Sequence, residues 1–557
     1  MIDYTLADLD GAQPALPIRH DGALVLLGPT AGGVCVACAE DTRLAALGTK
    51  VPRRDPRMRL GGLSSPTFQP LLDALIARMK VDPEHYRQTV VAVRTDLGTV
   101  STHTVRTRPG GCPICGPLPL DSPAEATVVR GPVPAVPGTL RGANPLTAGD
   151  ALRTTLFDLR HGPVAGVFRI GDLPLAVVSA EIVPDDGAQQ AGYGRTADFA
   201  DAERVALYES VERHSGLRPR RCTTVLEASF ADLGPDRAVD PVRLGLPDQP
   251  SPHLTPYDPA VRTKWVHGWS YTREVPLAVP EHVAYWGIGH TTRFVDETSN
   301  GCGLGNSLTE AVLHGLFEVA ERDAFLMAWY ARTPLPRLGL PADPVLPHLV
   351  DRLEVLGYEL LFFDATNDLG VPVVLSLARY LGSDPLTPRA FFAAGANPDP
   401  VAAMRSAAAE VAVDVEAAAK KDPVDRERLL EMLRAPESIR TMEDHVLVNG
   451  LPEAADRYAF LFDGDPAPVE LATPPTDDLD ALLGHYVDRL RALDLEVIAV
   501  DQTDPVVRDR LGLHSAKVIV PGTLPMTFGH LHRRTHGIPR LRRFGYDSLA
   551  LQPHPFP

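Results

Sequence analysis

The sequence predicts an α/β (α+β) protein in two parts, a small N-terminal module pinned by cysteines and a much larger domain behind it. Three observations carry that prediction. Short apolar strands alternate with amphipathic helices along most of the chain. Four of the six cysteines fall in two Cys-x-x-Cys pairs, Cys35-Val-Ala-Cys38 and Cys112-Pro-Ile-Cys115. A Pro/Gly-rich passage, Gly131-Pro-Val-Pro-Ala-Val-Pro-Gly138, is extended and interrupts the alternation. The 557 residues leave room for several domains. The expected division is a module over 1–130, a linker over 131–150 and a large domain over 151–557.

Taken in order, residues 1–22 read as polar and irregular. An apolar strand follows at Ala23–Gly28, then the first cysteine pair. Residues 69–79 read as a helix with Leu71, Leu72, Leu75 and Ile76 on one face. Residues 89–95 and Val100–Arg106 read as strands, and the second cysteine pair closes the module. Beyond the linker, Leu173–Ala180 reads as a strand and Asp201–His214 as a helix. Residues 308–330 form a long amphipathic helix, and 402–421 an Ala-rich one. The acidic stretch 422–480, with Pro and Gly spread through it, reads as a helix at 425–434 and surface loops covering the site. Strands return at Glu496–Asp501 and Lys517–Val520.

The net charge of −17 argues against a nucleic-acid or anionic-membrane partner. Only six of the 54 basic residues are lysine, a bias that fits GC-rich coding better than a binding patch. No N-terminal stretch pairs a basic start with an apolar run and a cleavage site, and no apolar run reaches the ~18 residues of a membrane span. The expectation is a cytoplasmic, reduced protein. In that setting the two Cys-x-x-Cys pairs are read as four thiolates of a closed structural Zn2+ site rather than as disulfides or redox pairs.

The chemistry is carried by a repeated motif. Glu-x-x-Glu-Arg occurs as Glu209-Ser-Val-Glu212-Arg213 and again as Glu318-Val-Ala-Glu321-Arg322, each in a helical, half-apolar stretch. Two chance copies have odds of about one in a hundred at average composition. Upstream of the second copy, Thr298-Ser299-Asn300-Gly-Cys-Gly-Leu-Gly-Asn306-Ser-Leu-Thr-Glu310 is Gly-rich and leads into a helix, a junction whose amides suit a phosphate. At about 100° per residue, Glu310, Glu318 and Glu321 fall within roughly 80° of one another. A lone copy would read as a surface i,i+4 ion pair. Five acids on two matched helices read instead as hard oxygen ligands for Mg2+, which usually brings nucleotide phosphates. No Gly-x4-Gly-Lys-Ser/Thr is present, so the reading is an ATP–Mg enzyme without a P-loop.

Three stretches, Gly192-Tyr-Gly-Arg195 through Glu209-Ser-Val-Glu-Arg-His-Ser-Gly216, Thr298 through Asp323-Ala, and Val520-Pro-Gly-Thr-Leu-Pro-Met526 with Phe528-Gly-His530, resemble the YcaO-domain family. The likeness runs over about residues 145–557 and is greatest to the azoline-forming cyclodehydratases of thiazole/oxazole-modified microcin type, which act in the biosynthesis of ribosomal peptide antibiotics. The N-terminal part resembles the zinc-bearing remnant of a ThiF/E1-like domain. The resemblance implies that Glu209, Glu212, Glu310, Glu318 and Glu321 hold Mg2+ ions bridging ATP phosphates. It implies nucleotide contacts for Asn306 and Arg322, with Ser299 and Asn300 in the same motif. Where the family usually has a Ser four residues before Glu209, this chain has Val205. Where it commonly has an Arg beside an Ala, Ser406 takes the place and Arg405 is the substitute.

The sequence finishes Pro553-His554-Pro555-Phe556-Pro557. Such a segment prefers a preformed polyproline II helix, and taken alone would read as a disordered tail or an SH3-type ligand. The resemblance implies that this Pro-x-Pro-x-Pro segment lies near the active site and is needed for ring formation. The implied reaction starts with a substrate Cys, Ser or Thr attacking the preceding amide carbonyl. The oxyanion takes the ATP γ-phosphoryl group, and loss of phosphate leaves a thiazoline or oxazoline. The resemblance points to this segment for the general base, with its terminal carboxylate as one candidate, and His554 is another only because imidazole titrates near neutrality. His514, His530, His532 and His536 read as structural or surface histidines. Residues 1–22 are too short for a winged-helix leader-binding domain, so a separate ThiF-like partner is expected to deliver the precursor peptide. A homodimer is a further expectation. The alternatives are a thioamide- or amidine-forming YcaO, and a silent scaffold that recruits the peptide for another enzyme.

Overall fold

The computed structural model describes residues 15–21, 23–46, 66–108, 111–112, 114–171, 175–183, 190–287, 289, 292–420, 425–468, 477–543 and 552–557. The module is a four-stranded antiparallel sheet in sequence order, Ile18–Asp21, Leu24–Leu27, Thr89–Arg94 and Thr99–Thr104. Helix α1 (Val36–Ala46) and helix α2 (Gln69–Val81) are inserted after the second strand. Leu24–Leu27 and Thr89–Val93 are buried, as the apolar runs predict. Leu24 and Leu26 pack with Cys35, Cys38 and Cys112, while Val25 and Leu27 pack under α2.

Among the described residues the large domain holds three sheets, antiparallel except where Arg337–Leu338 and Pro466–Ala467 pair in parallel. A three-stranded sheet (Val164–Ile170, Ala176–Ile182, Gln190–Thr196) carries helix α3 (Phe199–Leu217). Asp198 caps α3, its side chain accepting from the amides of Ala200 and Asp201. A β-carbon at Gly192 or Gly194 would collide with the backbone of Ala206 or Ala202, so these glycines let α3 lie directly on its strand.

A six-stranded sheet runs Val275–Pro280, Arg262–Ser270, Ile498–Asp501, His514–Ile519, Cys302–Gly305, with Leu226–Ser229 also pairing to Arg262–Ser270. Helix α4 (Leu308–Ala331) packs across it. The first half of α4 (Val312, Leu313, Leu316) is buried with Leu479, Leu482 and Tyr486. Its second half (Phe325, Trp329) is buried with Phe363 and Phe392 of a five-stranded sheet. That sheet is ordered Ala390–Ala396, Val373–Tyr380, Tyr358–Asp364, Arg337–Leu338, Pro466–Ala467, and its other face carries helix α5 (Pro400–Ala419).

Two stretches differ from expectation. The Gly-rich lead-in to α4 is a strand, with Cys302 opposite Lys517 and Gly305 opposite His514. A β-carbon at Gly303 would strike the backbone of Ala311 and Gly315, so the glycines serve close strand–helix packing. Within 422–480, where loops were expected after 425–434, a further helix α6 (Met442–Asn449) is present. A reciprocal capping box between Thr441 and Asp444 starts it. The expected strand at Leu173–Ala180 is observed as Ala176–Ile182, and its first two residues lie outside the described set, as do Lys421 and residues 1–14.

Residues 131–150 lie along the large domain. Val133 donates from its amide to Asp478 (2.9 Å), Arg141 pairs with Glu310 (2.8 Å), and Asn144 donates to Asn306 (2.9 Å).

Candidate active site

The two Glu-x-x-Glu-Arg motifs stand on α3 and α4. Glu209 accepts from the Tyr193 amide (2.6 Å) and pairs with Arg213 (2.6 Å), which also donates to the Ala191 carbonyl (2.6 Å). That ties the first motif to the strand beneath it. Glu318 pairs with Arg322 at 3.4 Å, and Arg322 also approaches the Met526 sulfur (3.1 Å).

The acids feel one another across the two helices. Burial first, then Glu318 and Glu209, push the Glu212 carboxyl up to about 8. Burial, partly offset by Arg322 and reinforced by Glu410 and Glu318, pushes Glu321 up to about 8. Glu318 is raised as well, by burial against the pull of Arg322 and Lys517. Glu209 and Glu318 remain about a quarter exposed, at 27% and 21%, so the face is open to solvent. Half-buried carboxylates that raise each other's pKa form a site short of positive charge, which a divalent cation would supply.

The sequence reading missed several members of this face. Glu410 stands on α5, 3.8 Å from Arg195, which follows Gly194 on the strand under α3. Arg195 is held charged against its burial by Glu410, Asp414 and Glu209. On the other side, Lys517 and Arg534 overcome burial and hold Glu297 at about 2. Asn300 and Arg322 line a cavity of about 50 Å3 together with Glu297, Lys517 and Arg534. Asn300 is fully engaged, donating to Glu297 (2.8 Å) and the Met526 carbonyl (2.8 Å) and accepting from the Met526 amide (3.2 Å). Ser299 turns the chain, its carbonyl accepting from the Cys302 amide (2.8 Å).

Three expected residues are engaged by neighbouring groups. Glu310 is fully buried, and its oxygens are taken by Arg141 (2.8 Å) and the Gly142 amide (2.8 Å). Asn306 donates to the Gly142 carbonyl (3.0 Å) and to Glu310 (3.4 Å). Both therefore clasp the strap 141–144, with the Arg141 guanidinium between Glu310 and the surroundings of Glu212. Arg405 is exposed and pairs with Asp343 (2.9 Å).

The Pro553–Pro557 segment is held against the second half of α4. Phe556 is 1% exposed, its ring 3.8 Å from that of Phe325 and 6.0 Å from that of Phe392. The His554 carbonyl accepts from His445 Nδ1 (2.9 Å) and Asn449 (3.2 Å), both on α6. His445 Nε2 accepts from the Gly529 amide (3.1 Å), which fixes its tautomer as Nδ1–H. His554 Nε2 faces the Thr527 carbonyl (2.8 Å), so the proton sits there and Nδ1 carries a lone pair with no partner. Burial, then His445, with Arg322 contributing, hold the His554 imidazole well below its ordinary pKa and therefore neutral.

The four cysteine sulfurs all lie within 4.8 Å of one another, and among the described residues they are the one group of three or more ligand side chains drawn so close. Cys35 and Cys112 sulfurs are 3.5 Å apart, and Cys38 and Cys115 sulfurs 3.7 Å. Tetrahedral Zn–S bonds of about 2.3 Å give S–S separations of about 3.8 Å. Backbone amides of Cys35 (3.1 Å), Cys38 (3.4 Å) and Arg108 (3.5 Å) point at sulfurs, as they do around metal thiolates. The donor set fits a closed structural metal.

Carboxylates of α3, α4 and α5 that share one field, in a chain whose sequence has no P-loop, fit a divalent-metal site of a class of enzyme other than the Walker type. Residues 193–524 match the model of a family described as YcaO cyclodehydratase, ATP- and Mg2+-binding. The chain belongs to that family and is an ATP-dependent cyclodehydratase. Its fold is similar to a heterocyclase solved in complex with substrate and cofactor (TM-score 0.68, 21% identity, 93% of this chain and 74% of the other). It is similar also to the heterocyclase TruD (TM-score 0.61, 19% identity, 93% and 71%). An uncharacterized protein in the tfuA 3' region of Rhizobium leguminosarum bv. trifolii is 26% identical over 412 residues, 69% of this chain and 88% of its own. Among the described residues no helix is long and apolar enough to cross a membrane.

Proposed function

We propose that this cyclodehydratase forms thiazolines and oxazolines from Cys, Ser and Thr residues of a ribosomal precursor peptide, with Glu209, Glu212, Glu318, Glu321 and Glu410 as the acid wall of its Mg–ATP site. The observation that carries the reading is the gathering of acids from α3, α4 and α5 around Arg195, Arg213 and Arg322, where Glu212 and Glu321 are held well above the ordinary carboxylate range. Mg2+ supplies neutralisation of phosphate charge when bound. The chain's own residues do the rest. Arg322 and Arg195 offer guanidiniums at the edge of the acid wall, placed to meet phosphoryl oxygens. Asn300, saturated by Glu297 and Met526, fixes the turn beneath them. Glu310 and Asn306 hold the strap that closes one side of the site.

The Pro553–Pro557 segment completes the wall next to Arg322. His554 Nδ1 has no hydrogen-bond partner, but burial keeps its imidazole neutral and weakly basic, which favours a positioning role for the segment over proton storage at His554. Cys35, Cys38, Cys112 and Cys115 hold Zn2+ as a structural ion. The precursor peptide arrives on a separate ThiF-like leader-binding protein.

The test mixes this protein, its candidate partner, Mg–ATP and a Cys-containing precursor peptide. Mass spectrometry is expected to show one water lost per ring, with stoichiometric phosphate release. Phosphate release without loss of water from the peptide would reject ring formation.

A further inference from the structure

The Pro553–Pro557 segment meets two unlike surfaces. Helix α4 offers it apolar packing, with Phe556 against Phe325 and Trp329. Apolar contact is non-directional, so by itself it leaves such a segment free to slide or roll. Helix α6 offers it hydrogen bonds. Proline has no N–H, so the backbone handles of a Pro-x-Pro-x-Pro segment are chiefly its carbonyls. Helix α6 takes two successive ones. Asn449 Nδ2 donates to the Pro553 and His554 carbonyls (3.2 Å each), and His445 Nδ1 donates to the His554 carbonyl (2.9 Å). Residues four apart share a helix face, so both side chains reach the same segment.

Each of the two donors is buried and is itself oriented. The Gly529 amide donates to His445 Nε2, which leaves the ring proton on Nδ1, facing the segment. Burial, against the pull of the His554 carbonyl, lowers the His445 imidazole to about 4, so it stays neutral and keeps that polarity. Arg457 donates to Asn449 Oδ1 (3.0 Å), which turns the amide nitrogen toward the segment. The His445 and His554 rings also stack, with centroids 4.2 Å apart. Residues 524–529 then tie this grip to the nucleotide motif. The Thr527 carbonyl accepts from His554 Nε2 (2.8 Å), and the Met526 backbone holds Asn300. The Leu524 amide donates to Asp323 (2.9 Å), the residue after Arg322.

We infer that His445 and Asn449 are positioning residues for ring formation: they fix the register of the Pro-x-Pro-x-Pro segment on α4 and, through residues 524–529, align it with Asn300 and Arg322. This role rests on the proposed reaction, in which the segment completes the site. It gives α6, inside the acidic stretch 422–480, a part in the chemistry without contact to the reacting atoms. The grip acts on backbone carbonyls, so it sets where the segment lies and leaves its side chains free to differ.

Hydrogen exchange in a peptic fragment containing residues 553–557 reads the docking directly, since only His554 and Phe556 among these five carry an amide proton. In the full chain, His445→Ala and Asn449→Ala should each speed that exchange about tenfold. Each should also lower kcat for ring formation about tenfold, with KM for ATP within about threefold. An Asn side chain puts an amide nitrogen where His Nδ1 stood, whereas a Gln side chain puts its amide at the Nε2 position. His445→Asn should therefore recover most of the protection and the rate, and His445→Gln should not. Unchanged exchange in either alanine variant, equal losses in His445→Asn and His445→Ala, or a rise in KM for ATP that matches the loss of rate would each overturn the assignment. Should His445→Ala misfold, by loss of its far-UV circular dichroism, the Asn and Gln variants carry the comparison. A parent chain that forms no rings would reject the proposed reaction, and the exchange measurement would still decide the grip.

Discussion

The cysteine cluster and the acid face both suit a metal ion, and they are built oppositely. The cysteines come from two distant segments, yet their sulfurs meet within 4.8 Å and are enclosed by backbone amides. The glutamates come from α3, α4 and α5, remain partly open to solvent, and meet as mutual repulsion and not as a cage. In the proposed reading the first arrangement supplies every ligand from the protein to an ion that would complete the fold, and the second would leave coordination positions for phosphate oxygens.

Breaking the acid face should be costly in rate and harmless to the fold. Glu318→Ala is expected to lower ring formation by a factor on the order of 1,000. Its melting temperature should equal or exceed that of the parent, because a repelling carboxylate is gone. A large loss of melting temperature would place Glu318 in the frame of the fold. Breaking the cysteine cluster should do the reverse. Cys112→Ser is expected to lose the bound metal, read by elemental analysis. Amide exchange across the strands of the module should rise by about 100-fold or more, equivalent to ~3 kcal/mol of local stability.

Glu410→Gln sharpens the contrast by probing the third wall. The expected change is a rise in KM for ATP of about threefold to tenfold with a smaller change in kcat. A smaller signature lies in pH. The folded carboxyls of Glu212 and Glu321 are pushed up to about 8, above the ordinary glutamate value of 4.5. Between those values the folded chain binds more protons than the unfolded one, so metal-free stability should fall as pH rises from 4.5 to 8. Thermal melts of the parent and of Glu212→Gln should diverge in that window, with the variant showing the flatter profile. Smallest of all is Arg405→Ala. Its exposed pair with Asp343 contributes about 0–1 kcal/mol, and ATP kinetics should stay within about twofold.

Much of this comparison was legible in the residues. The apolar runs of the module, the two cysteine pairs and the period of α3 and α4 are local patterns, and the structure keeps them with boundaries moved by a few residues. What was hidden depends on partners far along the chain. Glu310 shares a face with Glu318 by helical spacing, but spacing does not show Arg141 reaching across from residue 141 to take its carboxylate. Residues 131–150 look like a linker by composition, and only their contacts with Asp478, Glu310 and Asn306 give them a place. Glu410 is one acid in an Ala-rich helix, and nothing local marks it. Helix α6 could have been found, because Thr441 and Asp444 have the spacing of a capping box. The acidic, Pro- and Gly-bearing surroundings outweighed that signal.

The strap between the two regions joins them mechanically. Arg130 is tethered to Asp480, Val133 to Asp478, Arg141 to Glu310 and Asn144 to Asn306 and the Leu511 carbonyl. A displacement carried along this backbone meets the turn at Asp478–Asp480 first and the first turn of α4 second, while His103–Asp158 and Arg106–Asp504 join the module to the large domain by a separate route.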